Sequence, residues 1–196
     1  KSVLKAYKKA FSREAEDVGL VIKINQWKQE DIDCIRESLK GYDNVYIITD
    51  TLSKIQVNSL IKCADTYVSL HRAEGFGLVM AEAMLVGTPV IATDWSANTE
   101  FMNRDAAFMV DCQLVKLQKD IGPYKAGSRW ADPDIDQAAQ YMKKCYEDRS
   151  FTDRMARRAE EHIRTMLSMD RAAQIVRDRV AQIYEERAKK KIAIVN

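Results

Sequence analysis

The stretch His71-Arg72-Ala73-Glu74-Gly75-Phe76-Gly77-Leu78-Val79-Met80-Ala81-Glu82-Ala83-Met84-Leu85-Val86-Gly87-Thr88-Pro89 decides how the chain is read. It follows the apolar run Thr66-Tyr67-Val68-Ser69-Leu70, which reads as a strand, and it runs into the helical pattern Leu78 to Val86. A strand thus feeds a glycine turn that opens a helix. Such a turn presents unpaired backbone N–H groups and the positive end of the helix dipole, and a phosphate is the usual guest. Alone, Gly75-Phe76-Gly77 is a plain strand-to-helix turn, since short glycine motifs recur by chance. Its setting carries more: Glu74 and Glu82 flank it with seven residues between them, carboxylates suited to sugar hydroxyls. Glu82 is the lone carboxylate of a nearly wholly apolar helix and requires a partner.

Outward from this block the chain alternates. Leu4, Tyr7 and Phe11 space as a helix face, Val18 to Ile24 reads as a strand, and Asp31 to Leu39 as a helix. Val45 to Ile48, Ile55 to Ala64 and Tyr67 to Leu70 continue as strand, helix and strand, and after the glycine-loop helix come the strands Pro89 to Ala92 and Ala107 to Val110. The fold class expected is α/β, a Rossmann-like parallel sheet with helices on both faces, followed by C-terminal helices. Ligands of such sheets bind beyond the carboxyl ends of the strands, where residues 71 to 78 and 94 to 98 fall.

Beyond the sheet, Gln113 to Arg129 reads as a loop, long enough to be functional or mobile. Ile135 to Tyr146, Phe151 to Met166 and Asp170 to Tyr184 read as helices, with Ser168 as an N-cap. The last carries Ala172, Ile175, Val176, Val180 and Ile183 on one face and is expected to pack onto a body. Residues 1–188 form one domain on this reading. Residues 189–196, Lys189-Lys190-Lys191 and then Ile192 to Asn196, read as a tail or as a linker into a further domain that opens with a strand.

A chain of 196 residues can bury about 70% of the surface its unfolded form exposes. Hydrophobic residues at 46% and charged residues at 31% describe a globular protein and exclude a disordered one. No apolar run reaches the length of a membrane span, so membrane contact is at most peripheral. The net charge of +2 gives no argument for nucleic acid. Cys34, Cys63, Cys112 and Cys145 lack metal-ligand or redox-motif spacing and read as free, buried thiols of a reducing compartment, the cytoplasm. With only His71 and His162 available, a zinc site is not expected. Asp31-Ile32-Asp33 and Asp134-Ile135-Asp136 mimic a metal motif, but both open helices, where acidic residues suit the dipole. Trp95 and Trp130 read as packing or loop anchors, and Lys116, Lys119 and Lys125 as a solvated surface.

Several separated motifs, in order and spacing, resemble a known family. Glu74-x7-Glu82 around Gly75-Phe76-Gly77, then Gly87-Thr88-Pro89-Val90-Ile91-Ala92-Thr93, then Ser96-Ala97-Asn98 before Glu100-Phe101-Met102 are similar to the carboxyl-terminal, donor-binding domain of retaining glycosyltransferases with the GT-B fold. Trp130-Ala131-Asp132-Pro133-Asp134 resembles a version seen in bacterial polysaccharide-building members. The likeness runs from about Tyr7 to about Tyr184. It implies transfer of a hexose from a nucleoside-diphosphate sugar to a glycan or lipid-linked glycan, with no cofactor and no metal.

The resemblance also implies roles. Glu82 takes the place of the glutamate that hydrogen-bonds the nucleotide's ribose, and Glu74 that of the glutamate beside the transferred sugar, the catalytic candidate. Gly75, Phe76, Gly77 and Leu78 line the donor diphosphate, with Ser96, Ala97 and Asn98 across from them. Arg72 is placed equally well on a phosphate or in a structural ion pair. His71 reads as a hydrogen-bonded lining residue, since the family's catalytic base belongs to its other domain. The chain departs from the pattern where relatives begin with an extra strand and a phosphate-neutralising Arg/Lys pair, because it opens inside the first helix. The amino-terminal acceptor domain is also missing, so this chain alone is expected to be inactive. Ala97 stands where relatives often carry glycine. Three alternatives stay open on the sequence: a non-catalytic sugar-nucleotide-binding scaffold, a GT-B epimerase, or a phosphorylase.

Overall fold

A computed structural model describes the backbone of residues 1–195 and the side chains of residues 1–187. Helices and strands alternate through the first half: α1 (Ser2–Ala10), β1 (Leu20–Lys23), α2 (Gln29–Ser38), β2 (Val45–Ile48), α3 (Lys54–Cys63), β3 (Tyr67–Ser69), α4 (Leu78–Leu85), β4 (Val90–Thr93) and β5 (Phe108–Val110). β6 (Cys112–Lys116) and β7 (Arg129–Pro133) follow, then α5 (Ile135–Glu147), α6 (Arg149–Met166) and α7 (Met169–Val195). β1 pairs with β2 in parallel, and β3, β4 and β5 form a second parallel group with β4 at its centre. Among the described residues the two groups share no ladder.

Period-two alternation assigns the faces. Val90 and Ala92 of β4 and Met109 of β5 point into a core shared with Ile61 of α3, Met80 and Met84 of α4, and Ile163 of α6. Ile91, Phe108 and Val110 point the opposite way, into a core shared with Leu4 and Tyr7 of α1 and with Ala138 and Met142 of α5. The sheet is therefore covered by helices on both faces, as its alternation predicts. Thr88 Oγ1 donates to the Ile61 carbonyl at 3.0 Å, which ties the start of β4 to α3 inside this apolar setting.

Helix starts follow sequence rules. Ser53 caps α3 in a reciprocal box with Gln56. Asp134 caps α5, accepting from Asp136 and Gln137, and Ser168 accepts from the Arg171 amide at the start of α7. In the two Asp-Ile-Asp motifs the leading aspartates bind helix-start amides: Asp31 accepts from the Lys28 N–H, as Asp134 does from its own first turn.

Four expectations change. The loop expected over 113–129 is a hairpin, β6 paired antiparallel with β7 from Cys112 opposite Pro133 to Lys116 opposite Arg129. Its first strand buries little of either face, so β6 lacks the alternating pattern that marks a strand. The apolar face of α7 does not pack: Ile175, Val176 and Val180 are 58%, 62% and 46% exposed, because no described element lies against them. Of the four free cysteines only Cys145 is buried; Cys34 and Cys63 are exposed because they lie on the outer faces of α2 and α3. The strand expected at 192–196 is replaced by helix as far as Val195, where no Gly or Pro stops α7; Asn196 and the side chains of 188–196, the expected tail, lie outside the described residues.

Candidate functional site

The carboxyl ends of β3 and β4 carry two turns that meet. Residues 71–77 lead from β3 into α4, and residues 94–96 lead from β4 into a 3₁₀ turn, Ala97–Glu100. Gly77 is the N-cap of α4 with φ 95° and ψ 39°, and no side chain caps the helix there. The left-handed backbone requires glycine here; a Cβ on Gly77 would stand 2.7 Å from Met80 Cε, the flexible end of that side chain, and 3.4 Å from Asn98 Cβ. Gly75 meets nothing within 4 Å, and its missing side chain leaves the outer side of the turn open. With no side-chain cap, the first-turn amides of α4 lack a side-chain partner at this end.

Both glutamates reach this place. Glu74 Oε1 accepts from the Gly75 amide at 3.0 Å and the Phe76 amide at 3.5 Å, so these N–H groups hold one anionic oxygen in the geometry seen. Glu82, one face along α4 and with its side chain 20% exposed, finds the partner that its apolar helix demands in Lys54 at the start of α3. Tyr67 lies beneath; burial foremost, then the charges of Glu74 and Glu82, lift its phenol above the ordinary range. A cavity of about 320 Å³ opens beside Glu82, walled by Phe76, Leu78 and Leu85 on one side and by Ile163 and Arg164 of α6 with its C-cap Leu167 on the other. Phe76 stacks on Phe101 with centroids 5.3 Å apart, fixing that wall.

The opposite turn is held tightly. His71 Nε2 lies 3.0 Å from both the Trp95 carbonyl and Asn98 Oδ1, two acceptors, so it carries the proton, while Nδ1 accepts from the Ser69 hydroxyl at 3.1 Å. The His71 carbonyl in turn accepts from Thr93 Oγ1 at 2.8 Å. Asn98 is fully buried and donates through Nδ2 to the Thr93 carbonyl. It therefore fixes the turn and does not face the open side. Ser96 has φ 82° and ψ −160°, a conformation essentially confined to glycine; such strain costs about 1–3 kcal/mol. Its hydroxyl donates to the Glu74 carbonyl at 2.6 Å and accepts from the Glu74 amide at 3.2 Å. Ala97 begins the 3₁₀ turn, half-buried.

Arg72 is engaged by the hairpin. Its guanidinium pairs with Asp132 at 2.5 Å and lies 5.1 Å from the Trp130 ring centroid, and its carbonyl accepts from the Ala131 amide at 2.9 Å. Of the two roles open on the sequence, the structure displays the ion pair, and Trp130 anchors the hairpin. Behind the site Arg104 bridges Asp94 and Asp111 at the ends of β4 and β5; its hydrogen bond, then that of Gln137, holds the Asp111 carboxyl below the usual range.

The structure thus brings Glu74, Gly75, Phe76, Gly77, Leu78, Ser96, Ala97 and Asn98 together, with Glu82 adjacent. Sequence reasoning missed Lys54 and Thr93. The capping box Ser53-x-x-Gln56 points to Lys54's place, and Thr93, polar at the end of a buried strand, is a signal of its own.

The model of the family Glycosyl transferases group 1 matches residues 1–162. The chain belongs to the group 1 glycosyltransferases. Solved structures agree on the fold of this group 1 glycosyltransferase chain. HepE from Anabaena, in complex with UDP and glucose, is 16% identical with a TM-score of 0.68, over 92% of this chain and 44% of that one. WaaG, a glycosyltransferase involved in lipopolysaccharide biosynthesis, is 17% identical at 0.64, over 89% and 42%. The C-terminal domain of LpcC, a glycosyl transferase group 1 family protein from Francisella tularensis, is 19% identical at 0.62, over 84% and 76%. The group 1 chain therefore spans less than half the length of HepE and WaaG, and its fold is that of the carboxyl-terminal half of GT-B enzymes. No curated protein sequence matches it. Among the described residues no helix is long and apolar enough to cross a membrane.

Proposed function

We propose that this chain is the donor-binding half of a retaining hexosyltransferase, acting in bacterial polysaccharide assembly, and that it holds a nucleoside-diphosphate sugar at the turn Gly75–Leu78. The observation that carries the reading is the uncapped N-terminus of α4 opening between Glu74 and Glu82, directly after a turn whose Gly75 and Phe76 amides bond the Glu74 carboxylate. The UDP and glucose bound by HepE, a protein of the same fold, support it. Diphosphate oxygens would take the amides of Phe76, Gly77 and Leu78, where preorganised donors help most as negative charge develops on the leaving group. Glu82 would orient the nucleotide through its ribose, a positioning effect, and Glu74 would face the sugar as its anomeric carbon gains positive charge. The acceptor and the groups that bind it would sit on the other half of the enzyme, so this chain would hold the donor side of the reaction.

The strand pairing fits the same proposal. In a doubly wound sheet of order 3-2-1-4-5-6 the first strand lies between the second and the fourth. β1 and β2 pair as second and third would, and β3, β4 and β5 as fourth to sixth, with no ladder between the groups among the described residues. The pattern is that of such a sheet without its central strand.

A calorimetric panel of UDP-, GDP- and dTDP-sugars against the chain tests the reading. One nucleotide class is expected to bind with release of heat and to be displaced by its nucleoside diphosphate alone. Absence of binding by all three classes, to the chain and to the full-length protein alike, would contradict it.

A further inference from the structure

Ser96 is the one non-glycine residue in this molecule's functional turns with a left-handed φ, and its ψ of −160° puts it where only glycine rests without strain. A glycine would adopt this backbone freely, so the side chain that keeps the strain is expected to do something in return. What it does is specific. One hydroxyl binds both backbone groups of Glu74, donating to its carbonyl at 2.6 Å and accepting from its amide at 3.2 Å. The peptide planes on both sides of Glu74 are thereby fixed, and with them the direction of its Cα–Cβ bond.

The strained residue is itself over-determined. The carbonyl before it, that of Trp95, accepts from His71 Nε2 at 3.0 Å, and its own carbonyl accepts from Thr99 Oγ1 at 2.8 Å and from the Thr99 amide at 3.2 Å. His71 is anchored in turn by Ser69 on β3 and by the buried Asn98. The turn after β4 is thus locked against the end of β3, and among the described residues the Ser96 hydroxyl makes the hydrogen bonds that link that lock to the Glu74 backbone. Without it, Glu74 would be held only by its own carboxylate on the adjacent Gly75 and Phe76 amides.

We propose that Ser96 is a positioning residue for the transfer reaction: it holds the Glu74 backbone so that the carboxylate is aimed at the sugar, and it acts through Glu74 without touching the donor. The proposal rests on the reading of Glu74 given above. It separates Ser96 from Phe76, Gly77 and Leu78, whose amides are assigned to the diphosphate in the function proposed above.

The test uses the full-length enzyme and the sugar nucleotide that the binding panel selects. Ser96→Gly removes the clasp and the strain together, so its melting temperature is expected to equal or exceed the parent's while kcat falls by about tenfold to a hundredfold, as misplacement of a reacting group costs; donor KM stays at the parental value. Ser96→Ala loses the clasp and keeps the strain, so kcat falls as far and the melting temperature falls too. In a Glu74→Gln background Ser96→Gly is expected to cause no further loss, because residues acting as one unit are not additive. Parental kcat in Ser96→Gly, a melting temperature that falls in step with its activity, or losses that multiply in the double variant would each overturn the proposal. Parental turnover in Glu74→Gln alone would overturn the reading of Glu74 itself, and this proposal with it, and is told apart by that single variant.

Discussion

The two groups of parallel strands are built from the same kinds of residue and are buried very differently. β4, Val90-Ile91-Ala92-Thr93, is buried at every position, and so is β5. β1, Leu20-Val21-Ile22-Lys23, and β2, Val45-Tyr46-Ile47-Ile48, are half-buried or exposed throughout; Val21 and Tyr46, which stand opposite each other in the ladder, are 48% and 59% exposed. Apolar character is common to all four strands, so it does not set the depth. Neighbours do. β4 has a bonded strand on each side and helices above and below. The β1–β2 pair shares the core of α1 and α5 on one face only, and each of its strands has one bonded neighbour. The Ser96 turn leaves the fully buried β4 and the Glu74 turn leaves its half-buried neighbour β3, so both rest on the deeper group, and a firm base of that kind is what a positioned carboxylate needs.

The largest expected effect tests this contrast in stability. Ile91→Ala removes a fully buried side chain shared by several elements and is expected to cost about 2–5 kcal/mol, whereas Ile22→Ala on the half-buried strand should cost about 1 kcal/mol. Chemical denaturation of the two variants beside the parent measures both. Equal losses in this chain would break the comparison. If the losses differ here and converge in the full-length protein, a strand between β1 and β3 is filling out the shallower half.

A smaller effect separates the two glycines of the site turn. Gly77→Ala must place a Cβ against Met80 at a left-handed φ and is expected to lose about 1–3 kcal/mol. Gly75→Ala points into open space and should leave stability within about 0.5 kcal/mol of the parent, as surface changes do. Its cost should appear instead as weaker nucleotide binding, since the added methyl stands on the side the ligand approaches. Thermal melts with and without nucleoside diphosphate distinguish the two; a Gly75→Ala variant that melts early and binds normally would reverse the assignment.

Much of this half was legible because local periodicity and local caps agree with the tertiary structure. The strand Val45–Ile48 falls within its expected bounds, and the Gly75-Phe76-Gly77 turn opens α4 as its glycines indicate. The hairpin was not legible, because Leu114 is exposed and β6 buries neither face consistently, while the buried Ala131 and Pro133 of β7 are a small residue and a proline that do not announce a strand. The stripe on α7 was legible as a pattern and misleading as packing, since an apolar face in sequence does not name what covers it. Cys34 and Cys63 show the same limit: a helical context fixes which face a thiol shares and leaves open whether that face is inside.

At the site, chemistry-bearing residue types with short spacing could be read, and long-range devices could not. Nothing local to Ser96 announces a φ of 82°, because that angle is imposed by His71 and Thr99 holding the carbonyls on either side of it. Lys54 lies 28 residues from Glu82 and meets it only once α3 packs beside α4. Arg72 was open between phosphate and ion pair, and the hairpin that supplies its partner Asp132 is the element the sequence did not reveal.

The most direct measurement of the central claim is the affinity of the nucleoside diphosphate, without its sugar, for the parent chain, for Glu82→Ala and for Glu74→Gln. If Glu82 holds the ribose, its loss should weaken binding by about 1.5–3 kcal/mol, the range of a hydrogen bond to a charged group, or about tenfold to a hundredfold. Glu74 faces the sugar on this account, so Glu74→Gln should bind the diphosphate as the parent does. Calorimetry that finds Glu82→Ala unchanged while Glu74→Gln loses affinity would contradict the account.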